Sequence, residues 1–203
     1  MMPLILVVGP WGSGTTVVMQ ILASLGALVP EPYYPTFDER TPNSWETTAF
    51  NRFVSSVVAE DTGIITRPEF IMPGLQTMRL ELKALSETWQ RPIALKYALA
   101  AAILPQLNDL FALKLIYVRR PMSDIEATRL RRGWYAHLGA EGAIRVQRYM
   151  ADYAAKATHP IHWIDFPSLL ARPREHISQL ATFVSLPDQP SAQQLVRRTP
   201  TPL

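Results

Sequence analysis

The segment Gly9-Pro-Trp-Gly12-Ser13-Gly14-Thr15-Thr16 sets three glycines among three hydroxyl side chains. Its G-x-x-x-x-G-x-T frame is that of a phosphate-binding loop. Glycines allow a tight backbone path along which successive N–H groups point inward, a following helix adds partial positive charge, and threonine hydroxyls add donors. The bland alternative is a glycine-rich turn that holds no ligand. Nucleotide kinases and hydrolases place lysine after the second frame glycine to neutralise terminal phosphates, and that position here is Thr15. The loop therefore predicts binding of an anion of another kind.

Other groups suited to anion chemistry lie further along. Of the 20 basic residues only Lys83, Lys96, Lys114 and Lys156 are lysines, and the rest are arginines, the side chain whose planar fork matches phosphate or carboxylate. Arg119-Arg120-Pro121 follows an apolar run, with Asp124 and Thr128 beyond it. Lys96 ends another apolar run, Ile93 to Lys96; it reads either as a cation at a site or as a side chain reaching water from the sheet edge. Glu46 follows the proline-rich, aromatic stretch 30–43 and reads either as a general base or as a residue complementing a helix dipole. Asp38, Glu39 and His137 stand in reserve as bases. Tyr33, Tyr34, Phe37, Trp45, Phe50 and Phe53 form either an apolar acceptor wall or ordinary core. His159, His162 and His176 lack ligand spacing, and no metal site is expected.

These residues need a scaffold. Leu4 to Val8 is a short apolar run of the kind buried on both faces, followed by the glycine loop and by helical periodicity from Thr15 to Leu28. Asn43 or Ser44 is placed to cap a helix reaching about Glu60, with Glu46 in its first turn. Pro73-Gly74 opens a helix to about Gln90. Ile93 to Lys96 is a second strand, then an alanine-rich helix bent by Pro105 runs to about Phe111. Leu113 to Val118 is the third strand, 121–132 and 139–157 are helices, Ile161 to Asp165 is the fourth strand, and 173–185 is a final helix. Strands separated by helices predict an α/β fold: three layers, a mainly parallel sheet of four or five strands, helices on both faces, and a ligand at the strands' carboxyl ends.

Ser13-Gly-Thr-Thr16 also resembles the S-G-T-T or S-G-T-S loop of the P-loop sulfotransferase superfamily. That loop cradles the 5′-phosphate of 3′-phosphoadenosine 5′-phosphosulfate (PAPS). The family's second motif is a strand ending in arginine, then a proline, then a helical serine that shares the 3′-phosphate. Arg120 with Thr128 matches its eight-residue spacing and Arg119 its R-x-P spacing; Arg120 is preferred because Asp124 then also falls where the family often has an acid, and Arg119 is kept as a second ligand. Pro42-Asn43-Ser44-Trp45-Glu46 with Asn51, Ala94-Leu-Lys96 with Ile103-Leu-Pro105, and Trp163 through Pro173 are similar to further bacterial segments.

The resemblance implies a metal-independent sulfotransferase that moves a sulfuryl group from PAPS to a hydroxyl or amine of a small-molecule, sugar or lipid acceptor. Gly12, Ser13, Gly14, Thr15, Thr16, Arg119, Arg120 and Thr128 would bind the donor, with Lys96 and Glu46 catalytic. Two family features differ: Gly12 stands where a lysine or arginine is usual, and the C-terminal R-K-G segment is replaced only distantly by Arg197-Arg198.

Composition bounds all of this. With 203 residues, 48% of them hydrophobic, the chain suits one domain, and 18% charged residues with a net charge of +3 exclude a disordered polyelectrolyte. Zero cysteines exclude a thiol nucleophile and sulfur-ligated zinc. The opening apolar run is too short to span a bilayer, and a cytoplasmic protein is expected. The basic residues lack an interleaved aromatic platform for nucleic acid. Two rivals remain: a nucleotide-dependent kinase with Asp165 as its metal-holding acid, and a non-catalytic nucleotide-binding module of the same fold.

Overall fold

A computed structural model describes residues 1–36 and 41–197. Its sheet has four strands, β1 (Met2–Val8), β2 (Ile93–Lys96), β3 (Phe111–Arg119) and β4 (Ile161–Asp165), in the order β2-β1-β3-β4. Every pairing is parallel, with Val7 opposite both Lys96 and Ile116, and Arg119 opposite Asp165. The chain turns from β1 to one neighbour, β2, and then to the other, β3. Crevices open at such reversals, here beside the carboxyl end of β1.

Alternation along the strands splits the core in two. Leu4, Leu6 and Val8 of β1, Ile93 and Leu95 of β2, and Phe111 to Tyr117 at every second position of β3 face one side. There they pack against α2 (Thr48–Val57), α3 (Ile71–Trp89), α4 (Leu104–Leu110) and α6 (Ala140–Ala154). Ile5, Val7, Ala94, Ile116, Val118 and Ile164 face the other side, against α1 (Thr15–Ser24), α7 (Phe166–Ala171), α8 (Pro173–Val184) and α9 (Gln193–Arg197). The expected three-layer α/β arrangement is therefore observed, with α5 (Met122–Arg132) following β3.

Several boundaries differ from expectation. The first helix stops at Ser24 because Gly26 takes a φ of 109°, and Leu28 then bridges to Ile93 beside the sheet. The alanine-rich stretch is not one bent helix: Ala98–Ile103 is 3-10 and α4 starts at Leu104, placing Pro105 in a first turn, where its missing N–H does no harm. The helix expected from Asn43 or Ser44 starts only at Thr48, so Glu46 lies before it rather than in its first turn. Helix α7 was not foreseen. Val196 of α9 is buried on the core that α1 lines. Phe37, Asp38, Glu39 and Arg198 lie outside the described residues.

Candidate functional site

The path of the chain out of β1 sets the site. Gly12 and Gly14 have φ values of 78° and 101°, a region costly for residues with side chains. Space also excludes them. A Cβ on Gly14 would stand 2.2 Å from the Phe166 ring, and one on Gly9 would stand 2.5 Å from the Val118 carbonyl. Gly14 ends the loop as the N-cap of α1, contributes no side-chain cap, and no acidic residue occupies the first turn. The leading amides of α1 thus keep unspent donor capacity, the condition for holding an anion. Ser13 is fully buried, and among the described residues its Oγ has no hydrogen-bond partner.

One flank of the loop is set by β2. Lys96, 4% exposed, ends that strand on the face shared with Ala94, and its Nζ donates to Thr16 Oγ1 at 3.1 Å. The same Nζ lies 3.1 Å from Glu46 Oε1, and Asn51 Nδ2 donates to Glu46 Oε2 at 2.8 Å. Local turn chemistry delivers that carboxylate. Asn43 Oδ1 accepts from the Trp45 amide and Ser44 Oγ from the Glu46 amide, so Asn43 and Ser44 spend their side chains on turns instead of capping a helix. Trp45 is held at a φ of 58°, a strained setting for a bulky residue, with its ring stacked on Tyr33 at 5.4 Å.

The other flank is set by β3. Arg120 Nη1 donates to the Gly12 carbonyl at 3.1 Å and lies 3.5 Å from Thr128 Oγ1, while Arg120 Nε is 3.4 Å from Asp124 Oδ2. Thr128 is itself buried and donates to the Asp124 carbonyl. Between the two candidate arginines the geometry is unequal. The Arg120 side chain is 17% exposed and lies over the Phe166 ring at 5.5 Å. The Arg119 side chain is 57% exposed and faces Asp165 at 3.8 Å across the β3–β4 pairing.

Asp165 caps α7, its Oδ2 accepting from the amide and hydroxyl of Ser168. Those bonds, with Arg119 nearby, hold its carboxyl below the usual range. The residue proposed as a metal-holding acid is thus committed to a cap. Among the described residues no group of three or more His, Asp or Glu could hold a metal ion, and no helix is long and apolar enough to cross a membrane.

The remaining candidates separate. Lys83 forms an exposed pair with Glu87, Lys114 donates to the Phe183 carbonyl, and His137 stacks on Tyr135. Arg129 is paired with Glu126, and Arg132 lies over Trp134 at 4.8 Å. Phe50 is core, Phe53 packs against it over Gly74, and Tyr34 is 42% exposed. The contact of Phe166 with Gly14 was missed; a bulky residue just after a strand that ends beside a glycine loop is the only sequence signal for it. Burial gives the clearest picture. Among the described residues the buried polar or charged side chains are Ser13, Thr47, Asn51, Lys96 and Thr128, in or beside this site.

No protein-family model matches the chain, and no curated protein matches it in sequence. Its structure is similar to those of solved sulfotransferases, among them the following. The sulfotransferase domain of the curacin biosynthetic pathway is 21% identical over 96% of this chain and 78% of that one, with a TM-score of 0.63. The domain of the Synechococcus PCC 7002 olefin synthase is 21% identical over 94% and 75%, at 0.59. The sulfotransferase STF1 of Mycobacterium tuberculosis H37Rv is 15% identical over 98% and 71%, at 0.65. The chain has the sulfotransferase-type α/β fold.

Proposed function

We propose that the protein is a sulfotransferase that uses PAPS as donor and a hydroxyl or amine as acceptor. The observation that carries this reading is the concentration of buried polar side chains on both flanks of a glycine loop that takes no side chain at its tightest points. Burying such groups is costly unless they are hydrogen-bonded or serve a ligand. The buried, unpartnered Ser13 hydroxyl and the uncapped start of α1 suit the donor's 5′-phosphate, and Arg120 with Thr128 suits its 3′-phosphate. Arg119, directed at Asp165, is at most an outer contact.

In the transfer, the acceptor oxygen or nitrogen bonds to sulfur as the bridging oxygen–sulfur bond breaks. Glu46 takes the acceptor's proton. Lys96, beside Thr16, balances the charge that builds on the leaving phosphate, which departs as part of 3′-phosphoadenosine 5′-phosphate. The cation thus enters from β2 and not from position 12. The protein is read as cytoplasmic, acting on a small-molecule, sugar or lipid acceptor.

Calorimetric titration tests the reading. 3′-Phosphoadenosine 5′-phosphate is expected to bind without magnesium and far more tightly than ADP, and Arg120→Ala to weaken it about 10- to 150-fold, the worth of a charge-assisted hydrogen bond. Arg119→Ala is expected to change it less than about threefold, as for a solvent-screened charge. A preference for ATP with magnesium would support the kinase instead, and no binding of either nucleotide would leave a scaffold without donor chemistry.

A further inference from the structure

Asn51 is 5% exposed on a helix face whose other buried members are Phe50, Val54 and Val57. An amide in that setting costs free energy unless its donors are used, and its Nδ2 is used on Glu46 Oε2 at 2.8 Å. The opposite carboxylate oxygen, Oε1, is held by Lys96. Glu46 is therefore fixed from two sides, by β2 through a cation and by α2 through a neutral amide. Its side chain still keeps 16% exposure, an open side from which an acceptor can approach.

The two contacts differ in constancy. Lys96 also touches Thr16 at the start of α1, so any anion seated there competes with Glu46 for the same ammonium group. Among the described residues Asn51 has no such second claim. With Lys96 drawn toward the loop, Asn51 is what keeps the carboxylate from turning about its own side-chain bonds.

We infer that Asn51 is a positioning residue for the general base: its amide holds Glu46 in the orientation that receives the acceptor's proton while Lys96 serves the donor. This rests on the sulfuryl-transfer reading. The same helix provides a control one turn on, where Ser55 Oγ lies 2.8 Å from the Tyr97 hydroxyl and does not touch Glu46.

The test is a double-mutant cycle on turnover of PAPS, with water or an amenable phenol as acceptor. Binding of 3′-phosphoadenosine 5′-phosphate is measured alongside. Asn51→Leu, and the isosteric Asn51→Asp that lacks the donor, are expected to lower kcat about tenfold or more with acceptor KM and nucleotide affinity within about twofold. In a Glu46→Gln background Asn51→Leu is expected to change the rate less than about twofold, because the group it positions is gone. Ser55→Ala should keep kcat. Equal losses from Asn51→Leu in both backgrounds, or an unchanged kcat in the Asn51→Asp protein, would overturn the role. A wild-type protein that does not bind the nucleotide would overturn the sulfuryl-transfer reading first, and this role with it, before any variant is compared.

Discussion

Replacing Lys96 by methionine, which preserves most of its volume and removes its charge, probes both the stability and the chemistry of the site. In the folded protein the ammonium lies 3.1 Å from Glu46 Oε1, with side-chain exposures of 5% and 16%. Two unit charges at that separation attract by about 5 kcal/mol at an effective dielectric of about 20. Desolvation of both groups offsets much of this, so the intact pair adds little net stability. Removing one partner is different, because it strands the other charge. Stranding a buried charge costs about 3–5 kcal/mol, and the partial exposure of Glu46 with its Asn51 contact brings the expected loss to about 2–3 kcal/mol. For a domain of this size that lowers Tm by about 4–12 °C. The double variant Lys96→Met/Glu46→Gln is expected to regain most of the loss, since no charge is left unpaired. Differential scanning calorimetry on the four proteins of the cycle reads this directly. In PAPS turnover, Lys96→Met is expected to lower kcat about 100- to 1,000-fold, as for removal of one electrostatic contact to a developing anion, with nucleotide affinity much less affected. A Lys96→Met protein that melts within a degree of the wild type, with no recovery in the double variant, would refute the reasoning.

Two further outcomes are expected. Gly12→Lys, which installs the cation usual at that position in sulfotransferase loops, should destabilise by about 1–2 kcal/mol and fail to speed turnover; the position has a φ of 78° and its Cβ would meet Thr128 at 3.2 Å. A faster or more stable Gly12→Lys enzyme would show the loop free to adjust. The second concerns His162, on β4, stacked on Phe183 and with an unpartnered Nε2; burial first, then the neighbouring His176, pushes its pKa below 6.5. A lowered histidine value means the unfolded chain protonates first, so the stability present above about pH 6.5 is lost as pH falls below it, until the folded form also protonates. Melting temperature should therefore fall between pH 7.5 and pH 5 more in the wild type than in His162→Phe, with equal falls counting against burial as the cause.

The sequence by itself carried whatever is encoded by neighbours along the chain. The unbroken apolar run Leu4 to Val8 set β1, because a strand buried on both faces must be apolar throughout, and β2 and β4 fall at their expected bounds. The glycine frame set the loop, because positive φ and close approach leave few other residues possible. Glu46 shows where such reading ends: Asn43 and Ser44 suit a helix cap and a turn equally well by type, and the choice fell to the turn that stacks Trp45 on Tyr33. Spacing matched Arg120 to one part of the family motif and Arg119 to another, and only the register with β4 shows Arg119 set opposite Asp165 while Arg120 reaches the Gly12 carbonyl. Phe166 under Gly14, and the chain of contacts from Asn51 through Glu46 and Lys96 to Thr16, join residues from four separate segments. Parallel pairing on either side of β1 brought those segments together, and the partner of a buried charge is chosen by that packing, at separations along the chain that no local pattern records.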